Sequence, residues 1–458
     1  MKIVICGAGQ VGFGIAQRLA EEGHDVSVID YSADRIQAVG MAIDARAIVG
    51  NGASPETLAE AGIEDADMLI AATLHDEVNM VACEVAHHLF SVPTKIARIR
   101  SQSYLRPHFQ DLFSDDAIPI DFIISPEIEI GETVLRRIAL PGAVDIVHFA
   151  GERIVMMGVE CEPDCPILDM PLREIGKRHP GLDATTVGIA RGEDMLVPDA
   201  EQRLKAGDIA YVVAEATKVR RVLEVFGHAE PQAGRIVIAG AGTVGLYVAR
   251  QIEKRNISAR LRVIEPDAER ARHAAERLSR TVVLNGSALD EAILRQADID
   301  EADLLVALTN DDKINLLAGV MGKHMGCKST LTLVNETSFR ELTAPLGIDA
   351  FISPQSITIS RILQHVRRGR IRSVHSIQNG RAEIIEAEAL ETSPLVGQPL
   401  ADLNIPDEVR LGAVFREGRY IQPCATTEIE AGDRVVIFAK AGAVRQVEQM
   451  FRVSLEFF

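Results

Sequence analysis

Two stretches of the chain are near copies of one another. Lys2-Ile-Val-Ile-Cys-Gly7-Ala-Gly9-Gln-Val-Gly12 stands at the start, and Arg235-Ile-Val-Ile-Ala-Gly240-Ala-Gly242-Thr-Val-Gly245 follows 233 positions later. Other landmarks keep nearly the same offset. Asn51-Gly52 matches Asn285-Gly286, the run Ala72 to Asn79 matches Leu308 to Asn315, and Ile124-Ser125-Pro126 matches Ile352-Ser353-Pro354. Ala206-Gly207-Asp208 likewise matches Ala431-Gly432-Asp433. A self-similarity this long means that whatever architecture the first copy adopts is built twice, at roughly 230 residues each. The two copies account for nearly all of the 458 residues.

Each copy divides again. In the first, short apolar runs near 2–6, 26–30, 46–49, 67–71, 94–99 and 120–124 read as strands. Phe13 to Glu22 and Asp76 to Leu89 read as amphipathic helices. Strands alternating with helices predict a parallel, doubly wound sheet covered on both faces, an α/β Rossmann-like fold. After Pro126, the residues Ile128, Ile130, Val134, Leu135 and Ile138 suit one face of a linker helix that stops before Pro141-Gly142. The remainder reads as a small α+β module, with β runs Ile209 to Ala214 and Val435 to Ala439 and helices Lys218 to Phe226 and Val444 to Phe451. The expected layout is a Rossmann-like domain at 1–122, a linker helix at 123–142 and a small module at 143–228. The second copy repeats it at 232–350, 351–372 and 373–458.

Composition removes several function classes. Asp and Glu number 66 against 48 Lys and Arg, a formal charge of −18. Such a chain is repelled by nucleic acid and by anionic lipid. No apolar run approaches the ~20 residues of a membrane span. The chain opens on a strand-like run without a basic n-region, which predicts no secretory leader. Trp is absent and aromatics are 4%, so base-stacking platforms are not expected. The six cysteines are scattered, which suits a reducing compartment. Cys161 and Cys165 alone are close; zinc or a disulfide is open to them, and two small residues in a Pro-punctuated loop is the favoured reading.

The glycine motifs carry the chemistry. In each copy G-x-G-x-x-G follows a strand, opens a helix and is trailed by an acid at the end of the next strand. The first glycine allows the tight turn, the second lets backbone approach a pyrophosphate, and the third packs helix on strand. The helix N-terminus offers N–H groups and the positive end of its dipole to phosphate. Asp30 and Glu265 stand at the tips of the second strands, where a carboxylate accepts bonds from ribose hydroxyls. A 2′-phosphate would be repelled, which disfavours NADP. The alternative is a structural glycine turn with a solvated acid. The motif specifies adenosine, ribose and pyrophosphate; it does not separate NAD(H) from ATP or ADP. The candidate cofactor residues are Gly7, Ala8, Gly9, Gln10, Val11, Gly12 and Asp30, with Gly240, Ala241, Gly242, Thr243, Val244, Gly245 and Glu265 in the second copy.

Thr73, Leu74 and Thr309 follow the fourth strands, where such sheets place their ligand crevice. Each Thr either touches ribose or phosphate or caps the helix beginning near Asp76 or Asp312. Asn51-Gly52 and Asn285-Gly286 edge an adenine pocket or form plain Asn-Gly turns. Arg98 sits in the fifth strand, and a charge in an apolar strand needs a partner such as phosphate. Leu333 takes its place in the second copy, so the two sites are expected to differ. No metalloprotease, Walker A or nucleophile-elbow motif is present. His148 and His375, at matching places, read as half-buried strand residues rather than catalytic groups. The basic run Arg367-Arg368-Gly369-Arg370-Ile371-Arg372 reads as a solvated linker end or a partner contact.

Two such domains, each with a linker helix and a small β-rich module, resemble the TrkA family, the tandem RCK-domain regulatory subunits of Trk potassium uptake. The run from Met1 to Gly12, Ala72 to Met80, and Ile96-Ala97-Arg98-Ile99-Arg100 carry the resemblance, which covers nearly the whole chain. It implies a non-enzymatic, cytoplasmic protein, peripheral on the inner face of the cell membrane and not inserted in it. It also implies a homo-oligomeric ring, usually of four chains, beneath a membrane K⁺-translocating Trk subunit, with no nucleic acid bound. NAD(H), ATP or ADP would bind in the large domains as regulatory ligands and change the ring. Gly7, Gly9, Gly12, Asp30, Thr73 and Arg98 would form site one, and Gly240, Gly242, Gly245, Glu265 and Thr309 site two. The rivals are an NAD-dependent oxidoreductase and a redox-sensing DNA regulator; the second would need a basic helix-turn-helix, which neither small module offers.

Overall fold

The computed structural model describes residues 1–114, 117–229, 233–255, 257–366 and 371–451. The basic run at 367–370 lies outside them. Chain order in the first parallel sheet is β1 (Lys2–Cys6), α1 (Gln10–Glu21), β2 (Asp25–Asp30), α2 (Ala33–Ala42), β3 (Arg46–Val49), α3 (Pro55–Glu60), β4 (Met68–Ala71), α4 (Asp76–His88), β5 (Thr94–Arg98) and β6 (Phe122–Ile124). Its strands lie in the order β3-β2-β1-β4-β5-β6, the dinucleotide-binding order. Continuous apolar runs such as Ile3-Val4-Ile5 and Leu69-Ile70-Ala71 are buried because helices cover both faces. The helix α5 (Pro126–Ala139) follows.

A five-stranded antiparallel sheet comes next. It holds β7 (Ala143–Phe149), β8 (Ile154–Glu160), β9 (Ala184–Arg191), β10 (Asp194–Leu196) and β11 (Ile209–Glu215), with α6 (Leu172–Arg178) and α7 (Val219–Val225). Then the plan repeats. The second parallel sheet has β12 (Arg235–Ala239), α8 (Thr243–Lys254), β13 (Arg260–Glu265), α9 (Ala268–Arg277), β14 (Val282–Asn285), α10 (Glu291–Gln296), β15 (Leu304–Ala307), α11 (Asp312–His324), β16 (Ser329–Leu333), α12 (Thr337–Arg340) and β17 (Ala350–Ile352). Its order, β14-β13-β12-β15-β16-β17, is that of the first. After α13 (Pro354–Val366) comes the second small sheet, β18 (Ile371–Ile377), β19 (Ala382–Glu388), β20 (Val409–Arg416), β21 (Arg419–Ile421) and β22 (Arg434–Lys440), closed by α14 (Val444–Met450).

The residues group into two compact units, one of 1–131 with 353–366 and one of 132–352 with 367–458. In the first unit, α13 packs on α1 and β6, although the chain reaches it long after that sheet is made. Ile362, Leu363 and Val366 join the core of Ile15, Leu19, Ile36 and Val39. Each such buried side chain contributes about 1.5–3 kcal/mol. His365 stacks on Phe122 with ring centroids 3.9 Å apart. In the second unit, the two small sheets share one core, with Phe149, Met156, Val187 and Tyr211 against Ile384, Ala413 and Phe438. His148 lies half-buried in β7, where burial and Arg136 lower its pKa. His375 sets its ring edge-on to Phe149 at 5.6 Å. Cys161 and Cys165 are buried free thiols, and among the described residues no cluster is arranged to hold a metal. None of the described helices is long and apolar enough to cross a membrane.

Candidate nucleotide sites

Both glycine loops lie at the C-terminal ends of central strands, beside the point where strand order reverses from β1 to β4 or from β12 to β15. Gly7 has φ +107°, and a Cβ there would stand 3.0 Å from the Ala72 carbonyl oxygen. A Cβ on Gly12 would collide with the Gly7 carbonyl. Gly240 (φ +104°) and Gly245 repeat both constraints. Gly9 and Gly242 differ in kind: a Cβ on either would meet nothing within 4 Å. They are the N-caps of α1 and α8, and no side chain caps either helix. The first turns, Gln10-Val11 and Thr243-Val244, therefore receive no capping side chain from their N-cap residues, an arrangement that suits an anion.

The acids do more than the motif requires. Asp30 is 6% exposed. Its Oδ2 accepts the Ala8 N–H at 2.7 Å and its Oδ1 accepts the Ser32 N–H at 2.9 Å. It thus ties the glycine loop to β2, while an ionised carboxylate keeps further lone pairs for a hydroxyl. Arg35 stands 3.6 Å away. Glu265 holds the Ala241 N–H at 2.8 Å in the same manner. Its other oxygen accepts from Asp267 N–H at 3.0 Å and from Arg270 Nε and Nη2 at 3.0 and 2.9 Å. Any further donor to this oxygen of Glu265 would therefore compete with a guanidinium.

Thr73 and Thr309 do not cap helices, contrary to one of the two sequence expectations. The N-caps are His75 and Asp311. Thr73 donates from its N–H and its hydroxyl to Asn79 Oδ1 at 2.9 and 2.7 Å. Asn79 Nδ2 donates to the carbonyls of Thr73 (3.3 Å) and Arg98 (2.8 Å). Thr309, Asn315 and Leu333 repeat the pattern at 2.9, 2.7, 3.0 and 2.9 Å. Both asparagines are fully buried. Leu74 beside this loop is 55% exposed.

Two buried carboxylates that sequence reasoning passed over hold the backbone just beyond the fifth strands. Asp76 accepts the N–H groups of Arg100 and Ser101, each at 2.9 Å. Asp312 does the same for Asn335 and Glu336. Their recurrence in both copies was the available signal. The Asn-Gly pairs diverge. Asn51 Oδ1 accepts the Ala53 N–H at 3.0 Å, a local turn. Asn285 instead donates to the carbonyls of Glu265 and Pro266 at 2.9 and 3.1 Å. A Cβ on Gly52 would sit 2.8 Å from that of Cys6, and one on Gly286 2.6 Å from Ile293.

Arg98 ends β5 opposite Ile124, and Leu333 ends β16 opposite Ile352, so the two are true counterparts. Arg98 Nε is buried and has no hydrogen-bond partner among the described residues. Burial, and then neighbouring Arg100, lowers its pKa, while Glu127 and Asp76 act the other way. Leu333 is 5% exposed and carries no charge.

The TrkA-N domain matches residues 3–126 and 236–354, and the TrkA-C domain matches 156–227 and 384–452. The Trk system potassium uptake protein TrkA of Azorhizobium caulinodans is 54% identical over 458 residues, 100% of both chains. That of Halomonas elongata is 38% identical over 462 residues, again 100% of both. Among solved structures, the GsuK RCK domain superposes with a TM-score of 0.62 at 17% identity, covering 98% of this chain and 94% of that one. The GsuK channel bound to NAD gives 0.61 at 16%, covering 98% and 78%. The solved structures share the fold, and the end-to-end relatives share the sequence: the chain belongs to the TrkA family, with TrkA-N and TrkA-C domains twice in tandem.

Proposed function

We propose that the chain is a cytoplasmic, peripheral regulatory subunit of a Trk-type K⁺ uptake system, gated by nucleotide and without catalytic activity of its own. The observation that carries this is the doubled strand–glycine loop–helix unit, uncapped at Gly9 and Gly242, with a buried carboxylate at each strand tip. Phosphates would rest on the first turns of α1 and α8. Asp30 and Glu265 would receive ribose hydroxyls, and Arg98 would meet phosphate charge at site one. NAD(H), ATP or ADP would serve as regulatory ligands. Support comes from the TrkA relatives, named for Trk potassium uptake, and from a structural neighbour solved with NAD. The layout of large domain, linker helix and small module, twice over, would assemble as a ring, a tetramer, on the membrane K⁺-translocating subunit. A ligand shifts that ring only by its differential affinity for two shapes, about 1–3 kcal/mol in typical cases.

Calorimetric titration of the full chain with NAD, NADH, ATP and ADP tests the reading. Asp30→Ala is expected to weaken site one about ten-fold or more, the scale of a hydrogen bond to a charged group. Glu265→Ala is expected to weaken site two less, because Arg270 already competes for that carboxylate. Absence of binding by all four ligands would reject nucleotide sensing by the subunit.

A further inference from the structure

The linker helices and the glycine-loop helices are related by the duplication, yet residues at matched positions of the two copies are exchanged in size. On the register fixed by Pro126 and Pro354, Ile359 of α13 takes the place of Gly131 in α5. On the register fixed by Gly7 and Gly240, Tyr247 of α8 takes the place of Gly14 in α1. In the first unit Ile359 fills the space above Gly14: a Cβ on Gly14 would overlap Ile359 Cδ1 and lie 3.2 Å from Gln355 Nε2. Gln355 also donates to the Gln10 carbonyl at 3.0 Å, in the first turn of α1. In the second unit the Tyr247 hydroxyl donates to Glu132 Oε1 at 2.7 Å, and Arg255 Nη2 reaches the same oxygen at 2.5 Å. Arg255 caps the C-terminus of α8, and Glu22 holds the matching position after α1.

We propose that Gly14 with Ile359, and Tyr247 and Arg255 with Glu132, form a size and charge code that admits to each glycine-loop helix only the linker helix of the other copy. Like-with-like docking fails on both counts. Placing α13 on α8 drives Ile359 against Tyr247. Placing α5 on α1 sets Gly131 over Gly14, leaving a void, and brings Glu132 toward Glu22. Both errors are destabilising, the first by overpacking and the second by lost contact and like charge.

Scanning calorimetry of the full chain tests the code through a sign. A free helical Gly→Ala change raises the unfolding midpoint, because Ala is the better helix former. Gly14→Ala is expected to lower it instead, by several degrees, and to raise it in the Ile359→Ala background, where the methyl group has room. A rise in both backgrounds, or an equal fall in both, overturns the size element. For charge, Glu132→Arg and Arg255→Glu are each expected to lower the midpoint, and the double exchange to recover at least half of the summed loss. Additive losses overturn the charge element. This second pair alters no buried volume at Gly14 and decides the matter if Gly14→Ala yields no folded protein.

Discussion

Site one and site two share a frame and differ in what the frame presents. Each has the glycine turn, the carboxylate holding an alanine N–H, the buried asparagine behind the threonine and the buried aspartate behind the fifth strand. All of these hold backbone in place. The charges around them have drifted: Arg35 pairs with Asp30 at 3.6 Å while Arg270 holds Glu265 at 2.9 Å, and Arg98 is answered by Leu333. Duplicated sites keep the residues that hold backbone in place. They diverge in the charged residues beside the strand tips.

The largest effects are expected in the shared frame. Asn79→Ala removes every bond of a fully buried amide and is expected to cost about 2–4 kcal/mol, with Asn315→Ala costing the same within about 1 kcal/mol. Urea unfolding of the full chain measures both; a clearly unequal pair would show that the frames are not equivalent. The divergent part comes next. Arg98→Leu gives site one the residue of site two, and should cut its affinity for a pyrophosphate ligand about ten-fold while flattening the salt dependence of binding. Titration at two salt concentrations shows whether the charge of Arg98 reaches ligand at all.

The smallest effect separates the linker helices. His365 of α13 is the counterpart of Arg137 in α5, which pairs with Asp145 at 3.7 Å. Burial, and then Arg361, holds the His365 imidazole down to about 4 from 6.5. Above 6.5 it is neutral folded or unfolded. As pH falls from 6.5 toward 4, the unfolded chain takes a proton that the folded chain refuses, so stability declines across that window. His365→Phe keeps the stacking on Phe122 and is expected to flatten this acid-side decline in the melting midpoint. An unchanged slope would place the titrating group elsewhere.

Much of this frame was legible in residues. The strands at 2–6 and 46–49 stand as read, since strong apolar runs between turn signals leave little freedom. The sixth strand begins at Phe122 rather than near 120, and α1 begins at Gln10 rather than Phe13, because helix and strand ends depend on caps and pairing more than on periodicity. Within the sites, the glycines and acids announced themselves through spacing. Asn79 and Asp76 did not, although both recur as Asn315 and Asp312. Their partners are backbone groups far along the chain, and nothing local marks a side chain as holding a distant amide. The docking of α13 on α1 was out of reach for the same reason. Its only trace in sequence is the exchange of Gly for a large residue at two matched positions.

The membership of α13 in the first unit sets a timetable. A ribosome finishes residues 1–131 long before it reaches Val366, and at about 5–20 residues per second the interval is roughly 12–47 s. Through that interval the nascent chain holds its first sheet with the patch meant for Ile362, Leu363 and Val366 still open to solvent. The chain is thus born with a gap that its second half closes, and a ribosome stalled anywhere before residue 366 leaves an apolar surface for holdase chaperones or for other nascent chains.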